Sequence, residues 1–189
     1  MPSTLTTDIR EFRAPQSMTT EELGDNLARL VWETFSDFVA REDVESPVPL
    51  PDDLVDDDGS PGSRDAEEAL IFFMWAHTRG AQQAFLGRTP DDRIRRGLDA
   101  LHQAVFEDMV QHGTPISQLP VFEARVGARY HEYHQASAES DERLGQAVCL
   151  HLAGGSLEYC RKLGNALKER AIAVANPLRD FLEEVDLLD

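Results

Sequence analysis

The chain is poor in cysteine, has almost no lysine and contains no long apolar run. Two cysteines in 189 residues cannot build a disulfide framework, and a chain of this length can bury a core without one. The longest strictly apolar run, Ala69 to Ala76, is far short of the roughly 20 residues a bilayer demands, so no membrane span is expected. No early segment joins basic residues to an apolar stretch, so a secretory signal is not expected and the location read from the sequence is cytoplasmic. Lys162 and Lys168 are the only lysines, and 35 acids against 18 bases give a formal net charge of −17. Nucleic-acid binders concentrate positive charge against phosphates, so nucleic acid is not an expected partner.

The acidity is unevenly placed. Residues 37–68 carry a net −10, residues 179–189 a net −4, and residues 69–178 are balanced. The arginine excess over lysine resembles proteins of salt-loving or GC-rich bacteria, which bears on solubility rather than activity.

What is present is helical periodicity. Residues 1–18 have none and read as a mobile arm. Thr19 and Glu22 form a capping-box pattern, and Leu23, Leu27, Leu30, Val31, Phe35 and Phe38 recur at helical spacing, which predicts a first helix over about 20–42. The acidic, proline-rich stretch 45–62 reads as a long loop or linker. A second helix is predicted over 64–86, and its apolar centre, Ala69 to Ala76, calls for neighbours on all sides. Thr89-Pro90-Asp91-Asp92 predicts the start of a third helix with Thr89 as its cap. Further helices are predicted over 120–137, 141–153 and 157–175, the last capped by Ser156. Asn176-Pro177 then predicts a break before a short C-terminal helix. The expected fold is therefore all-α: an antiparallel bundle of about six helices plus a short C-terminal helix, with 19–189 forming one domain.

Specific chemical motifs are missing. There is no Gly-rich phosphate loop, no Cys-x-x-Cys and no Glu-x-x-His. His131-Glu132-Tyr133-His134 differs from a zinc-protease motif because its histidines are three apart, not four. His131 points almost opposite the apolar stripe of its helix and His134 lies on the flank, so with Tyr130 they form a half-solvated aromatic–histidine cluster and a weak binding candidate. His77 and His151 fall on apolar faces. They read either as one hydrogen-bonded core histidine and one near a helix C-terminus, favoured there by the helix dipole, or as an acid–base pair sharing a pocket. Asp108 and His112, four apart, read as a surface interaction or a carboxylate-oriented imidazole. Arg88, Arg93, Arg95 and Arg96, partly cancelled by Asp91 and Asp92, read as a solvated face or, less favoured, a phosphate or nucleic-acid site. Cys149 and Cys160 flank Gly154-Gly155 symmetrically and read as reduced core residues facing across a hairpin. No metal or other cofactor is expected.

From Leu101 onward, the run AVFEDM, the turn Gly-Thr-Pro-Ile, a tyrosine-bearing helix and AVCLHL followed by two glycines are similar to the helical ubiquinol–cytochrome c chaperone domain. The similarity spans about residues 70–175. It implies an assembly chaperone and carries no residue roles.

These features favour a protein that acts by contact with other proteins rather than an enzyme. A small-molecule or metal-binding bundle using His and Glu side chains is the competing reading. Trp32 sits about 140° from Leu27 on its helix, and Phe72 and Trp75 lie off the Leu70–Met74–His77 face. Together they predict a second apolar surface and a symmetric homodimer.

Overall fold

A computed structural model describes residues 17–40, 64–152 and 157–189, with side chains described at 17–38, 66–152 and 168–189. The stretch 45–62, Ser156, the side chain of Cys160 and all but the last two residues of the 1–18 arm lie outside the described residues. Among the described residues there are six α-helices: α1 (Thr20–Ala40), α2 (Arg64–Phe85), α3 (Asp91–Gln111), α4 (Leu119–Glu139), α5 (Asp141–Leu152) and α6 (Leu157–Leu182). A 3₁₀ turn, Ile116–Gln118, leads into α4. The fold is all-α, and the described residues add two short strands, β1 (Ser17–Met18) and β2 (Asp186–Leu187). No helix among the described residues is long and apolar enough to cross a membrane.

Local chemistry explains most helix boundaries. At the start of α1, the Glu22 N–H donates to Thr19 Oγ1 at 3.1 Å and the Thr19 N–H donates to Glu22 Oε2 at 2.9 Å. This reciprocal pair satisfies two otherwise unpaired amides. Ser140 Oγ accepts the Arg143 N–H at 3.2 Å and caps α5. Thr89 does not act as the predicted cap. Pro90 occupies that position without a side-chain bond, and its carbonyl receives the N–H groups of Arg93 and Ile94. Gly87 and Gly113 end α2 and α3 at φ of 74° and 101°, a backbone region that glycine enters without steric cost.

Pro177 does not break α6. The helix runs through it to Leu182. Pro177 lacks the N–H that would bond the Ala173 carbonyl, but packing on both sides outweighs that loss. Before it Ala171 is buried, and after it Leu178 and Leu182 are buried. Gly80 on α2 lets the α6 backbone come close, and a Cβ there would sit 3.3 Å from the Ala175 carbonyl oxygen. The expected separate C-terminal helix is thus the last turns of α6.

Helix α2 is the centre of the core: every residue from Ala69 to Ala76 is buried, as its all-round apolar sequence requires. The most extensive helix contact joins α1 and α3. Gly24 lies against Ala100 and Leu101, Leu23 against Gly97, and Trp32 bonds Asp108. Residue numbers rise together along both helices, so α1 and α3 run in the same direction. The antiparallel packing expected of helices joined by short connections concerns consecutive helices, and α2 lies between these two in the chain.

Gly24 sets the spacing. A Cβ added there would stand 2.5 Å from Ala100 Cβ and 2.8 Å from the Ala100 carbonyl carbon. Alanine gains about 1 kcal/mol of helix propensity over glycine, but overpacking against backbone costs about 1–3 kcal/mol. Gly24→Ala should therefore lower the urea midpoint. A raised midpoint would show that the two helices are not held this close.

The tail is tied down. β1 and β2 pair in parallel, Ser17 with Asp186 and Met18 with Leu187, so residues 17 and 18 are not part of a free arm. Arg88 donates to the Leu182 carbonyl at 2.9 Å, and Arg93 to the Leu187 carbonyl at 2.8 Å. Arg93 and Arg96 both bond Asp189 Oδ1. Hydrogen bonds from these two guanidinium groups hold the Asp189 carboxyl below its ordinary value. Three of the four clustered arginines thus clasp the chain's own acidic C-terminal segment.

Candidate functional site

An open, largely apolar surface lies along α3. Two adjoining cavities, of about 860 and about 590 Å³, share Asp99, His102 and Tyr130. Together they reach from Asp91 at one end of α3 to Gln111 at the other. A helix of 21 residues spans about 30 Å, so the two cavities form one helix-long groove. Phe106, Val126 and Leu119 line the larger half, while Ile94 and Leu98 line the smaller. Leu86 and Ile116, 76% and 71% exposed, stand at opposite ends. The rim is acidic: among the described residues Asp91, Asp99, Glu107 and Glu123 line it, against a single cation, Arg95.

A polar waist divides the groove where α2, α3 and α4 meet. His102 Nε2 lies 3.0 Å from the Tyr130 hydroxyl, and Thr78 Oγ1 lies 3.2 Å from the same hydroxyl. Burial lowers the His102 pKa below its usual 6.5, opposed by the nearby carboxylates of Asp99 and Glu123. Burial also pushes the Tyr130 phenol well above its ordinary value, opposed by the bond to Thr78. With His102 neutral, one consistent assignment has Thr78 donating to Tyr130 and Tyr130 donating to Nε2. His102 also stacks on Phe106, with ring centroids 6.3 Å apart, and Phe106 meets Phe122 edge-on. The waist is thus braced from behind by aromatic packing.

Of the residues singled out in the sequence, Tyr130 alone belongs to this waist. His131 is exposed and contacts Gln135 at 3.0 Å, as its outward angle implied, and His134 is exposed. His77 and His151 are not brought into one pocket. His77 is 2% exposed and donates from Nδ1 to the Phe73 carbonyl at 2.8 Å, while its ring borders a cavity between α1 and α6. His151 contacts Glu132 Oε2 at 2.8 Å, beside the Tyr133 ring. The reason is helical phase: the two histidines project from different helices toward different neighbours. The Asp108 carboxylate accepts the Trp32 indole N–H at 2.9 Å, whereas His112 Nδ1 bonds the Asp108 main-chain carbonyl at 2.7 Å.

The expected interface residues lie inside the chain. Phe72 is fully buried and Trp75 is 4% exposed, both packed edge-on against Tyr133 of α4. Trp32 is half-buried against α3 through its bond to Asp108. An all-round apolar helix surrounded by its own chain accounts for the burial of Phe72 and Trp75, and the bond to Asp108 on α3 accounts for the packing of Trp32.

Sequence reasoning missed His102 and Thr78. One signal was available: His102 and Phe106 are four apart on the flank of the α3 stripe, a spacing that stacks side chains on a helix. Among the described residues, no three His, Cys, Asp or Glu side chains converge in a way that could hold a metal ion. Comparison with family models, curated proteins and solved structures gives no match, and the similarity to the ubiquinol–cytochrome c chaperone domain rests only on the residues that first prompted it.

Proposed function

We propose that this protein is a binding module that takes a basic amphipathic helix of another protein into the α3 groove. One observation carries the reading: a helix-long apolar groove, open to solvent, with four acids and one arginine along its rim. Enclosed pockets suit small ligands, whereas an open groove of this length suits the apolar face of a helix with its charges at the edges. The acidic rim selects lysine or arginine flanking that face. A second copy of this chain is a poor occupant, because each copy carries a formal charge of −17 and like charges across an interface oppose association. The Tyr130–His102 waist offers a hydrogen-bonding stop at mid-groove that fixes the register of the bound helix.

The test uses a fluorescent amphipathic peptide of leucine and lysine, with a leucine and glutamate peptide as control. Saturable binding of the basic peptide, weakened by salt and by the double change Glu107→Lys and Glu123→Lys, is expected. Losing two rim charges at roughly 1 kcal/mol each weakens binding about tenfold or more. Equal binding of both peptides, or no response to the charge reversals, would remove the charge argument. Dimer formation in place of peptide binding would return the groove to a second copy.

A further inference from the structure

A second cavity has the opposite electrostatic character. It lies between the C-terminal half of α2, the start of α5 and the second half of α6, with a volume of about 330 Å³. Among the described residues Arg79, Lys168 and Arg179 line it, against one carboxylate, Asp141. Three cations around one cavity is unusual in a chain with 35 acids and 18 bases. Its inner wall is apolar, formed by Trp75, Leu144 and Ala171, and it shares only Gln83 with the α3 groove.

Arg79 is the informative residue. Its guanidinium lies 5.4 Å from the centre of the Trp75 ring and donates to the Ser137 hydroxyl. Among the described residues it has no carboxylate partner. The other two cations hold partners that are easily given up. Lys168 meets the exposed Glu142 at 3.2 Å, and Arg179 meets the exposed Asp180 at 2.9 Å and the exposed Glu183 at 3.5 Å. Solvated pairs of this kind contribute little, so a ligand can draw either cation inward at small cost. A guanidinium supplies forked donors to planar or tetrahedral oxyanions, and an ammonium adds a point charge. Trp75 and Leu144 leave room for an apolar or aromatic part beside the anion.

We propose that this cavity is a binding site for a small organic polyanion, with a phosphate ester as the best-matched chemistry, gripped by Arg79, Lys168 and Arg179 above Trp75. The site is independent of the α3 groove and stands or falls separately.

The experiment exploits the fact that the chain has two tryptophans. Their indole N–H signals are followed by NMR during titration with pyrophosphate at constant ionic strength, with assignment from Trp32→Phe. The Trp75 signal should move and saturate while that of Trp32, held by Asp108 on the other side of the core, stays still. Arg79→Gln should weaken the apparent affinity roughly tenfold, as loss of one charged hydrogen bond implies. Arg79→Lys should recover part of that loss. If Arg79→Gln does not fold, Arg179→Gln at the solvent edge carries the same expectation. No saturating shift of Trp75, a joint drift of both indoles, or unchanged affinity in the variants would overturn the proposal.

Discussion

Acidification from pH 6.5 to about 4 is expected to destabilise the protein through His77, and His77→Leu should remove that part of the loss. Burial in the core lowers the His77 pKa to about 4, with the bond to Phe73 opposing and the Arg170 charge reinforcing the shift. The unfolded chain takes up the proton near 6.5. The folded pKa is the lower one, so the stabilisation is complete above pH 6.5 and is lost as pH falls toward 4. A shift of this size corresponds to about 3 kcal/mol. Many carboxylates also titrate in this window, so the comparison with His77→Leu is the measurement. Urea denaturation at several pH values should show the wild-type curve falling more steeply than the variant by about that amount. Parallel curves would mean that His77 reaches solvent.

An equally large effect is expected at the ion pair that joins α2 to α4. Glu68 is 1% exposed and accepts two bonds from Arg129, at 2.7 and 3.0 Å. Arg125 Nε lies 3.8 Å from Glu68 Oε1, an oxygen that Arg129 also bonds, and Arg125 also bonds Glu67. Arg129→Met keeps the aliphatic bulk but leaves a carboxylate in the core with one distant partner. Breaking a buried pair on one side costs about 3–5 kcal/mol, whereas Glu68→Leu with Arg129→Met removes both charges and should recover much of the loss. A double mutant as unstable as Arg129→Met would show that packing at Glu68, not charge pairing, is the dominant effect. The Tyr133 hydroxyl beside this cluster is buried and has no hydrogen-bond partner among the described residues. Burial and the Glu68 carboxylate keep its phenol protonated well beyond the ordinary range.

The two kinds of feature in this chain were not equally legible from sequence. Thr19 and Glu22 act on each other three residues apart, so their cap was readable, and Leu23, Leu27 and Val31 bury the face that their spacing marks out. The central role of Ala69–Ala76 was readable because apolar residues on every side of a helix need neighbours on every side. What failed depended on partners distant in sequence. Pro177 is a breaker by local rules, yet Leu178 and Leu182 pack beyond it. Trp32, 76 positions from Asp108, looked unaccompanied until α3 was placed beside α1. The His102–Tyr130–Thr78 waist joins three helices, and no spacing along one helix encodes it. The groove was equally hidden. Leu86 and Ile116 sit at helix ends, where a lone apolar residue carries no periodic signal.

The central claim is that the α3 groove is a binding surface for a basic helix, and methyl NMR tests it most directly. In a titration with the leucine–lysine peptide, the methyl signals of Leu86, Leu98, Ile116 and Val126 should move together, because they line both halves of the groove. The exposed methyl groups of Leu188 and Ile172, outside it, should stay still. Shifts confined to Leu188 or Ile172, or shifts spread evenly over all exposed methyl groups, would contradict the account.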